Sequence, residues 1–107
     1  MSIKEIEVTD LKAVLDGGGL LIDVRETDEY IAGHIKSAVS IPLSTITVEF
    51  ERFRSTADVY VVCRSGGRSM QACEFLVDHG IVNVVNVAGG TMAWQTSGSA
   101  LNLGDQP

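Results

Sequence analysis

The sequence predicts an α/β domain in which helices cover both faces of a parallel sheet. Short apolar runs alternate along the chain with segments of helical periodicity, which is the pattern of βαβ units. The run at 20–24 is apolar at nearly every position, as expected for a strand covered on both faces. With 107 residues, 45% of them apolar, the chain is long enough to bury a core as one domain. We place that domain at 1–97, and the small polar residues at 98–107 predict a partly mobile C-terminal tail.

The beginning of the chain predicts a short strand followed by a helix. The apolar residues at 6–8 indicate the strand, and Thr9 and Asp10 are suited to cap a helix over 11–15. The helix is expected to end at the three glycines 17–19. Because these glycines precede a strand instead of following one, they indicate a helix-ending turn and not a phosphate-binding loop.

The middle of the chain predicts a short helix, a strand and a second helical segment. After the strand at 20–24, a helix is expected over 27–31 with Thr27 as its N-cap. The next strand, at 38–41, is ended by a proline. Residues 44–53 combine β-branched residues with charged ones, and we predict a helix in the second half only.

The last part of the chain predicts two more strands, each followed by a helix. The strands are expected at 59–62 and 82–87, and the helices at 70–80 and 91–95. In a parallel sheet, ligands bind beyond the carboxyl ends of the strands. Cys63 lies at such an end, and Asp23 lies at another, so the predicted position and the residue chemistry agree.

Composition excludes several classes of function. The net charge of −6 argues against a nucleic-acid partner, because phosphate binding needs a basic surface. No apolar run approaches membrane-spanning length, so no membrane partner is expected. The two cysteines and two histidines are not spaced like zinc ligands, and nothing implies a metal or an organic cofactor. The N-terminus has no apolar signal core, so we expect a cytoplasmic protein whose thiols stay reduced.

The segment 63–69 is the strongest candidate for a reactive site. Backbone N–H groups of a glycine-rich turn can point inward and form an anion-binding nest, and a following helix N-terminus adds positive potential. Both favour a thiolate over a thiol, so the pKa of the cysteine should fall. A buried core cysteine would need neither two glycines nor two arginines beside it. The segment consists of Cys63, Arg64, Ser65, Gly66, Gly67, Arg68 and Ser69.

Other residue types near this segment permit a structural as well as a functional interpretation. Cys73 falls on the apolar stripe of its helix, which favours a core residue over a resolving thiol. His34 follows a short helix, where a structural role is preferred to that of a base. Ser69 could donate a hydroxyl proton to the sulfur or cap the helix. Arg25 and Glu29 are spaced for an ion pair along one helix face.

Three motifs, in this order and spacing, resemble the single-domain rhodaneses, a family of thiosulfate or persulfide sulfurtransferases. They span nearly the whole chain. The first is Leu21-Ile22-Asp23-Val24-Arg25, with Glu29-Tyr30 and Gly33-His34-Ile35 after it; the second is the loop 63–69; the third is Val87-Ala88-Gly89-Gly90 with Ala93-Trp94.

The resemblance implies a five-stranded parallel sheet and a sulfur-carrying nucleophile at Cys63. Thiosulfate or another persulfide would supply the sulfur, and a thiol or cyanide would accept it, with a sulfur-relay protein as a further partner. The backbone N–H groups from Arg64 to Ser69 would hold the persulfide sulfur. Arg64 would either meet the donor's sulfonate or remain a solvated surface residue. Arg68 would tie the loop to backbone or to a carboxylate, and Asp23 and Arg25 would support the loop.

Three alternatives keep the fold and change the function. Phosphatases and arsenate reductases of a related fold have five residues between Cys and Arg, whereas this chain has four between Cys63 and Arg68. The shorter loop should make a tighter cradle, better matched to one sulfur atom than to a tetrahedral oxyanion. A binding or sulfur-sensing module, and a persulfide carrier loaded by another protein, are the second and third alternatives.

Overall fold

A five-stranded sheet, parallel throughout, forms the centre of the molecule. The computed structural model describes residues 2–107. The spatial order of the strands is β1-β5-β4-β2-β3, and each neighbouring pair is parallel. This confirms the predicted sheet. The strands are β1 Lys4–Ile6, β2 Leu20–Asp23, β3 Val39–Ser40, β4 Val59–Val62 and β5 Val84–Val87.

Helices cover both faces of the sheet, as the apolar strands require. Successive residues of a strand point to opposite faces, so Leu21 packs into one core cluster and Ile22 into the other. No helix within residues 2–107 is long and apolar enough to cross a membrane. The helices are α1 Val8–Asp16, α2 Thr27–Ala32, α3 Ile46–Glu49, α4 Gly67–Asp78 and α5 Gly90–Thr96, with 3-10 helices at Leu43–Thr45 and Phe50–Phe53.

The first helix begins earlier than predicted, and the second begins at the predicted residue but has a different N-cap. Helix α1 begins at Val8 behind Glu7, so Val8 belongs to the helix and not to the first strand. Helix α2 has Glu26 as its N-cap instead of Thr27. There the Glu26 side chain accepts a backbone N–H from Glu29, and the Glu29 side chain accepts one from Glu26. Sequence rules favour the shorter Ser, Thr, Asp and Asn side chains at the N-cap, which is why Glu7 and Glu26 were not predicted there.

Further boundaries differ from the predictions, including those of α4, which is Gly67–Asp78 instead of 70–80. The segment 44–53 is helical throughout, with four residues of α-helix between the two 3-10 helices. Strand β5 begins at Val84 instead of residue 82. The reason is Asn83, whose side-chain amide donates to the carbonyls of Phe53 and Ala57 at 3.0 and 3.3 Å and so fixes a turn before the strand.

The C-terminal segment, for which a partly mobile tail was predicted, makes defined contacts with the domain. Asn102 and His34 exchange backbone hydrogen bonds of 2.8 and 2.9 Å in an antiparallel bridge. The indole N–H of Trp94 donates to the carbonyl of Ala100 at 3.1 Å. Leu101 packs against the core cluster that contains Trp94. These contacts predict that the segment contributes to stability.

Two leucines in this segment provide a matched test of its contribution. Leu101 is half-buried, whereas the side chain of Leu103 is 75% exposed. We expect Leu101→Ala to lower the free energy of unfolding by about 1–2 kcal/mol, because it returns apolar area to water. Leu103→Ala should change it by less than about 0.5 kcal/mol. Urea unfolding measures both, and equal effects of the two variants would contradict docking of the segment.

Candidate active site

The candidate site lies where the chain leaves two neighbouring strands in opposite directions. Strands β2 and β4 are paired with Asp23 opposite Val62. From β2 the chain continues to β3 on one side, and from β4 it continues to β5 on the other. A crevice at the carboxyl ends of the strands results, as in other open α/β sheets. Cys63 follows β4 directly and lies at this crevice.

The loop after β4 folds back over the sulfur of Cys63. Gly66 has φ +109°, a left-handed conformation that favours glycine, and it caps the N-terminus of α4. Its backbone N–H donates to Cys63 Sγ at 3.1 Å, and the hydroxyl of Ser69 lies 3.3 Å from the same sulfur. Cys63 is only 1% exposed. The sulfur is therefore enclosed by hydrogen-bond donors at the N-terminus of a 12-residue helix.

The pKa values of Cys63 and Cys73 are shifted in opposite directions by their different surroundings. Burial raises the pKa of the Cys63 thiol, but hydrogen bonds from the Ser69 side chain and from the backbone of Ser69, Gly66 and Ser65 outweigh it and hold the pKa below the ordinary 9.0. Burial raises the pKa of Cys73 to about 12. Because the thiolate is the nucleophilic form, the lowered pKa makes Cys63 the candidate reactive thiol, whereas Cys73 is buried in the core.

Arg68 connects the loop to helix α2 through a bidentate ion pair with Glu29. Its two terminal nitrogens lie 2.6 and 2.8 Å from the two carboxylate oxygens. The hydrogen bonds from Arg68 hold the pKa of Glu29 at about 2, well below its usual 4.5. The i,i+4 pair predicted between Arg25 and Glu29 is wrong, because Glu29 faces the loop. Arg68 is thus a structural anchor whose guanidinium is already occupied.

Asp23 and Arg25 form a buried ion pair beside the loop. The Arg25 side chain donates to both carboxylate oxygens of Asp23 at 2.8–3.1 Å, and it also donates to the carbonyl of Gly33 at 2.7 Å. Among residues 2–107, neither side chain hydrogen-bonds the segment 63–69. The structure places the pair at the edge of the site, where it fixes the turn after α2.

A pocket of about 360 Å³ opens beside the sulfur loop, between α2 and α5. Arg64 contributes a cationic group to its wall, and Met92 and Leu101 contribute apolar surface. Arg25 and Glu29 also line it, but each is already held in an ion pair. Within residues 2–107, Arg64 makes no ion pair with any carboxylate. Its guanidinium is therefore available to an anion that enters the pocket.

Sequence reasoning missed two polar residues that contact the loop. Asn86, on β5, accepts a hydrogen bond from the Ser69 hydroxyl at 2.5 Å and is 1% exposed. Thr91 donates its backbone N–H and its hydroxyl to the carbonyl of Cys63 at 2.9 and 3.0 Å. A polar residue inside the apolar run of β5 was the available signal for Asn86, because a buried amide needs partners.

The turn between β5 and α5 approaches the loop so closely that it needs glycine. Gly90 has φ +60°, and a Cβ there would lie 2.5 Å from the carbonyl oxygen of Arg64 and 2.6 Å from that of Cys63. Both neighbours are backbone atoms, which cannot move aside without distorting the loop. Contact with the sulfur loop thus explains Gly90, whereas a Cβ at Gly89 would lie 2.6 Å from the Cβ of Ala93 in α5.

His34 lies outside this network. Its ring stacks on Tyr30 with 3.8 Å between the centroids, and its Nδ1 lies 2.9 Å from the carbonyl of Tyr30. The residue is fully buried under the bridge to Asn102. These contacts indicate the structural role that was preferred to a base.

A parallel sheet with a cysteine cradled between β4 and α4 defines a rhodanese-type domain, and comparison with known proteins agrees. The Rhodanese-like domain family matches residues 7–97, and the chain belongs to this family. It is 40% identical over 97 residues to a Bacillus subtilis protein named "Putative sulfurtransferase YtwF", covering 89% of this chain and 93% of that one. It is 38% identical over 79 residues to a protein named "Sulfurtransferase" from Allochromatium vinosum, covering 74% of each chain.

A solved structure agrees at the level of the fold. The crystal structure of a rhodanese-related protein from Thermoplasma volcanium superposes with a TM-score of 0.84 and 32% sequence identity, covering 94% of this chain and 98% of that one. These relatives support a general role in sulfur transfer or sulfur carriage.

The ion pair between Glu29 and Arg68 predicts a pH-dependent contribution to stability. Because the pKa of Glu29 falls from 4.5 to about 2 on folding, its stabilising effect is complete above 4.5 and is lost as the pH falls towards 2. We expect the stability difference between the wild type and Glu29→Gln to be constant from neutral pH down to about 4.5 and to shrink below it. Urea unfolding across this range measures it. In an Arg68→Met background the pH dependence should become weaker, because only the Glu26 N–H and the charge of Arg25 then lower the pKa of Glu29. A constant difference in the wild-type background would contradict the assignment.

Gly90 provides a second test, with Gly80 as its matched control. Both glycines have positive φ, but a Cβ at Gly80 would meet nothing within 4 Å. Both alanine variants carry the left-handed strain, and Gly90→Ala adds an overlap with the loop backbone. We expect Gly90→Ala to be more destabilising than Gly80→Ala by about 1–3 kcal/mol in urea unfolding. Equal effects would show that the close contact is not maintained in solution.

Proposed function

We propose that this protein is a sulfurtransferase that carries a sulfane sulfur as a persulfide of Cys63. The sulfur would come from thiosulfate or another persulfide donor and pass to a thiol or cyanide. The observation that carries the proposal is the enclosure of Cys63 Sγ by the Gly66 N–H at 3.1 Å and the Ser69 hydroxyl at 3.3 Å. Such preorganised donors stabilise negative charge on sulfur without rearrangement during the reaction.

The chemistry consists of two displacements on sulfur. The Cys63 thiolate attacks the outer sulfur of thiosulfate; a new S–S bond forms, the old one breaks, and sulfite leaves with its electron pair. The anionic persulfide then gives its outer sulfur to the acceptor. With cyanide the products are thiocyanate and the original thiolate, and with a thiolate they are the acceptor's persulfide and the original thiolate. Ping-pong kinetics follow from the covalent intermediate.

The charge around the pocket is suited to an anionic donor. Arg64 lines the pocket and has no carboxylate partner. The other charged lining residues, Arg25 and Glu29, are each neutralised by an ion pair, and the chain as a whole carries a net charge of −6. A local positive region on an acidic protein can attract a small anion. Of the two roles considered for Arg64, this supports binding of the donor's sulfonate over that of a solvated surface residue with no ligand.

Two features of the loop argue against phosphate or arsenate chemistry. Four residues separate Cys63 from Arg68, which leaves a tight cradle. In addition, Arg68 is bound to Glu29 through both terminal nitrogens, so its guanidinium is not directed at an oxyanion on the sulfur. Sulfur transfer needs neither a wider loop nor a free arginine at this position.

Intact mass spectrometry of the reduced protein, before and after thiosulfate, tests the proposal. We expect the wild type to gain the mass of one sulfur atom and to lose it again on addition of cyanide or a small thiol. Cys63→Ser should show no gain. Cys73→Ala is the matched control and should still gain the sulfur, because Cys73 is buried in the core with a raised pKa.

Absence of a mass gain in the wild type would overturn thiosulfate as the donor. Loading would then be tested with a protein persulfide, which corresponds to a carrier in a sulfur relay. A gain that persists in Cys63→Ser would overturn the assignment of the nucleophile itself.

A further inference from the structure

A chain of hydrogen bonds connects the sulfur of Cys63 to a carboxylate at the edge of the sheet. Ser69 Oγ lies 3.3 Å from Cys63 Sγ and 2.5 Å from Asn86 Oδ1. The other end of the same amide, Asn86 Nδ2, donates to a carboxylate oxygen of Glu5 at 2.8 Å. Asn86 and Ser69 are buried, and Glu5 is exposed on the edge strand β1.

Glu5, together with the carbonyl of Gly66 at 3.5 Å from Asn86 Nδ2, determines which way the Asn86 amide points. A carboxylate accepts hydrogen bonds and does not donate them, so the atom of Asn86 beside Glu5 has to be the NH₂ group. The amide oxygen therefore faces Ser69. An amide oxygen cannot donate either, and the hydrogen between Ser69 and Asn86 is consequently the hydroxyl proton of Ser69.

This hydroxyl has one proton and three acceptors within reach. They are Asn86 Oδ1 at 2.5 Å, the carbonyl of Gly66 at 3.2 Å and Cys63 Sγ at 3.3 Å. The shortest contact is with Asn86, so Asn86 competes with the sulfur for the proton. The strength of the Ser69 hydrogen bond to the sulfur depends on how firmly Asn86 holds that proton.

We propose that Asn86, oriented by Glu5, is a positioning residue that holds the Ser69 hydroxyl away from Cys63 while the sulfur is a neutral thiol and releases it when the sulfur becomes an anion. The neutral thiol donates its own S–H to Ser69 Oγ. When the sulfur is a thiolate or a persulfide anion, the Ser69 O–H rotates towards it, and the proton stays covalently bound to Ser69.

The proposal extends the function proposed above, because it assumes that Cys63 is the nucleophile. It implies that the Ser69 hydroxyl has to break its hydrogen bond to Asn86 before it can donate to the charged sulfur. The charged groups around the cradle are Arg64 and Arg68 of the loop and α4, Glu29 of α2, Glu5 of β1 and the Asp23–Arg25 ion pair after β2, and the thiol of Cys73 is the other titratable group nearby. A neutral substitution of Asn86 leaves all of these groups in place. Its effect on the pKa of Cys63 therefore reflects the position of the Ser69 hydroxyl proton and not a change of charge.

The pH dependence of Cys63 alkylation by iodoacetamide, located by mass spectrometry of peptides, tests the proposal. Asn86→Leu has the same branching as asparagine and no acceptor, so the Ser69 proton is free for the sulfur. We expect the alkylation pKa to fall by about half a unit to one unit, a part of the value of one charge-assisted hydrogen bond. Asn86→Asp strengthens the competing acceptor and adds negative charge, and it should raise the pKa.

Ser69→Ala distinguishes a positioning role from a merely structural one. Removal of the hydroxyl should raise the pKa of Cys63, and in that background Asn86→Leu should no longer lower it. If Asn86 only supported the loop, Asn86→Leu would loosen the cradle and raise the pKa towards its free value, with or without Ser69.

Variants of the exposed Glu5 test the orientation of the amide without changing the core. Glu5→Gln removes the charge and keeps an oxygen that can accept from Asn86, whereas Glu5→Ala removes both. We expect Glu5→Ala to lower the alkylation pKa of Cys63 more than Glu5→Gln, because the Asn86 amide is then free to flip. Equal shifts in the two variants would mean that only the charge of Glu5 matters and would overturn its orienting role.

An unchanged or raised pKa in Asn86→Leu would overturn the proposal as a whole. Because alkylation requires no sulfur donor, this outcome is independent of the thiosulfate experiment. A protein that fails to load sulfur can still show the predicted order of pKa values, and a sulfurtransferase can fail to show it.

Discussion

The site depends on the backbone folding back over a buried sulfur at Gly66. The left-handed φ of Gly66 brings its N–H to Cys63 Sγ and begins α4 in the same step, so the donor and the helix N-terminus are produced by one residue. Burial alone would keep the thiol protonated. The hydrogen bonds from the loop reverse this effect, which is why the pKa is lowered at Cys63 and raised at Cys73 although both residues are buried.

The loop keeps this shape because it is fixed by contacts from two directions. On one side Arg68 is bound to Glu29, which also caps α2. On the other side Thr91 donates twice to the carbonyl of Cys63, and Gly90 permits the approach. A tight loop whose N–H groups point inward makes few hydrogen bonds within itself. Contacts from neighbouring elements therefore hold it in the conformation that surrounds the sulfur.

Local patterns were sufficient for the sheet and for the reactive loop. The apolar runs predicted all five strands, and the cysteine followed by two glycines identified the cradle, because these signals lie within a few residues of each other. Long-range partners were not predictable in the same way. Glu29 is 39 residues from Arg68, and Asn86 is 17 residues from Ser69. From the sequence alone, Glu29 and Asn86 could each have had several partners, because only the folded connections between the strands bring them next to the loop. The glutamate caps were missed because the rule for caps favours shorter side chains.

The contact between Thr91 and the carbonyl of Cys63 also has a consequence for the order of assembly. Residues 63–69 leave the ribosome before residues 90–91. The loop therefore lacks the hydrogen bonds from Thr91 until α5 has docked. A nascent chain therefore carries a thiol without its complete set of supporting contacts. The sulfur of Cys63 reaches its final surroundings only when the last helix of the domain has docked. The loop around the thiol is therefore fully supported only in the completely folded domain.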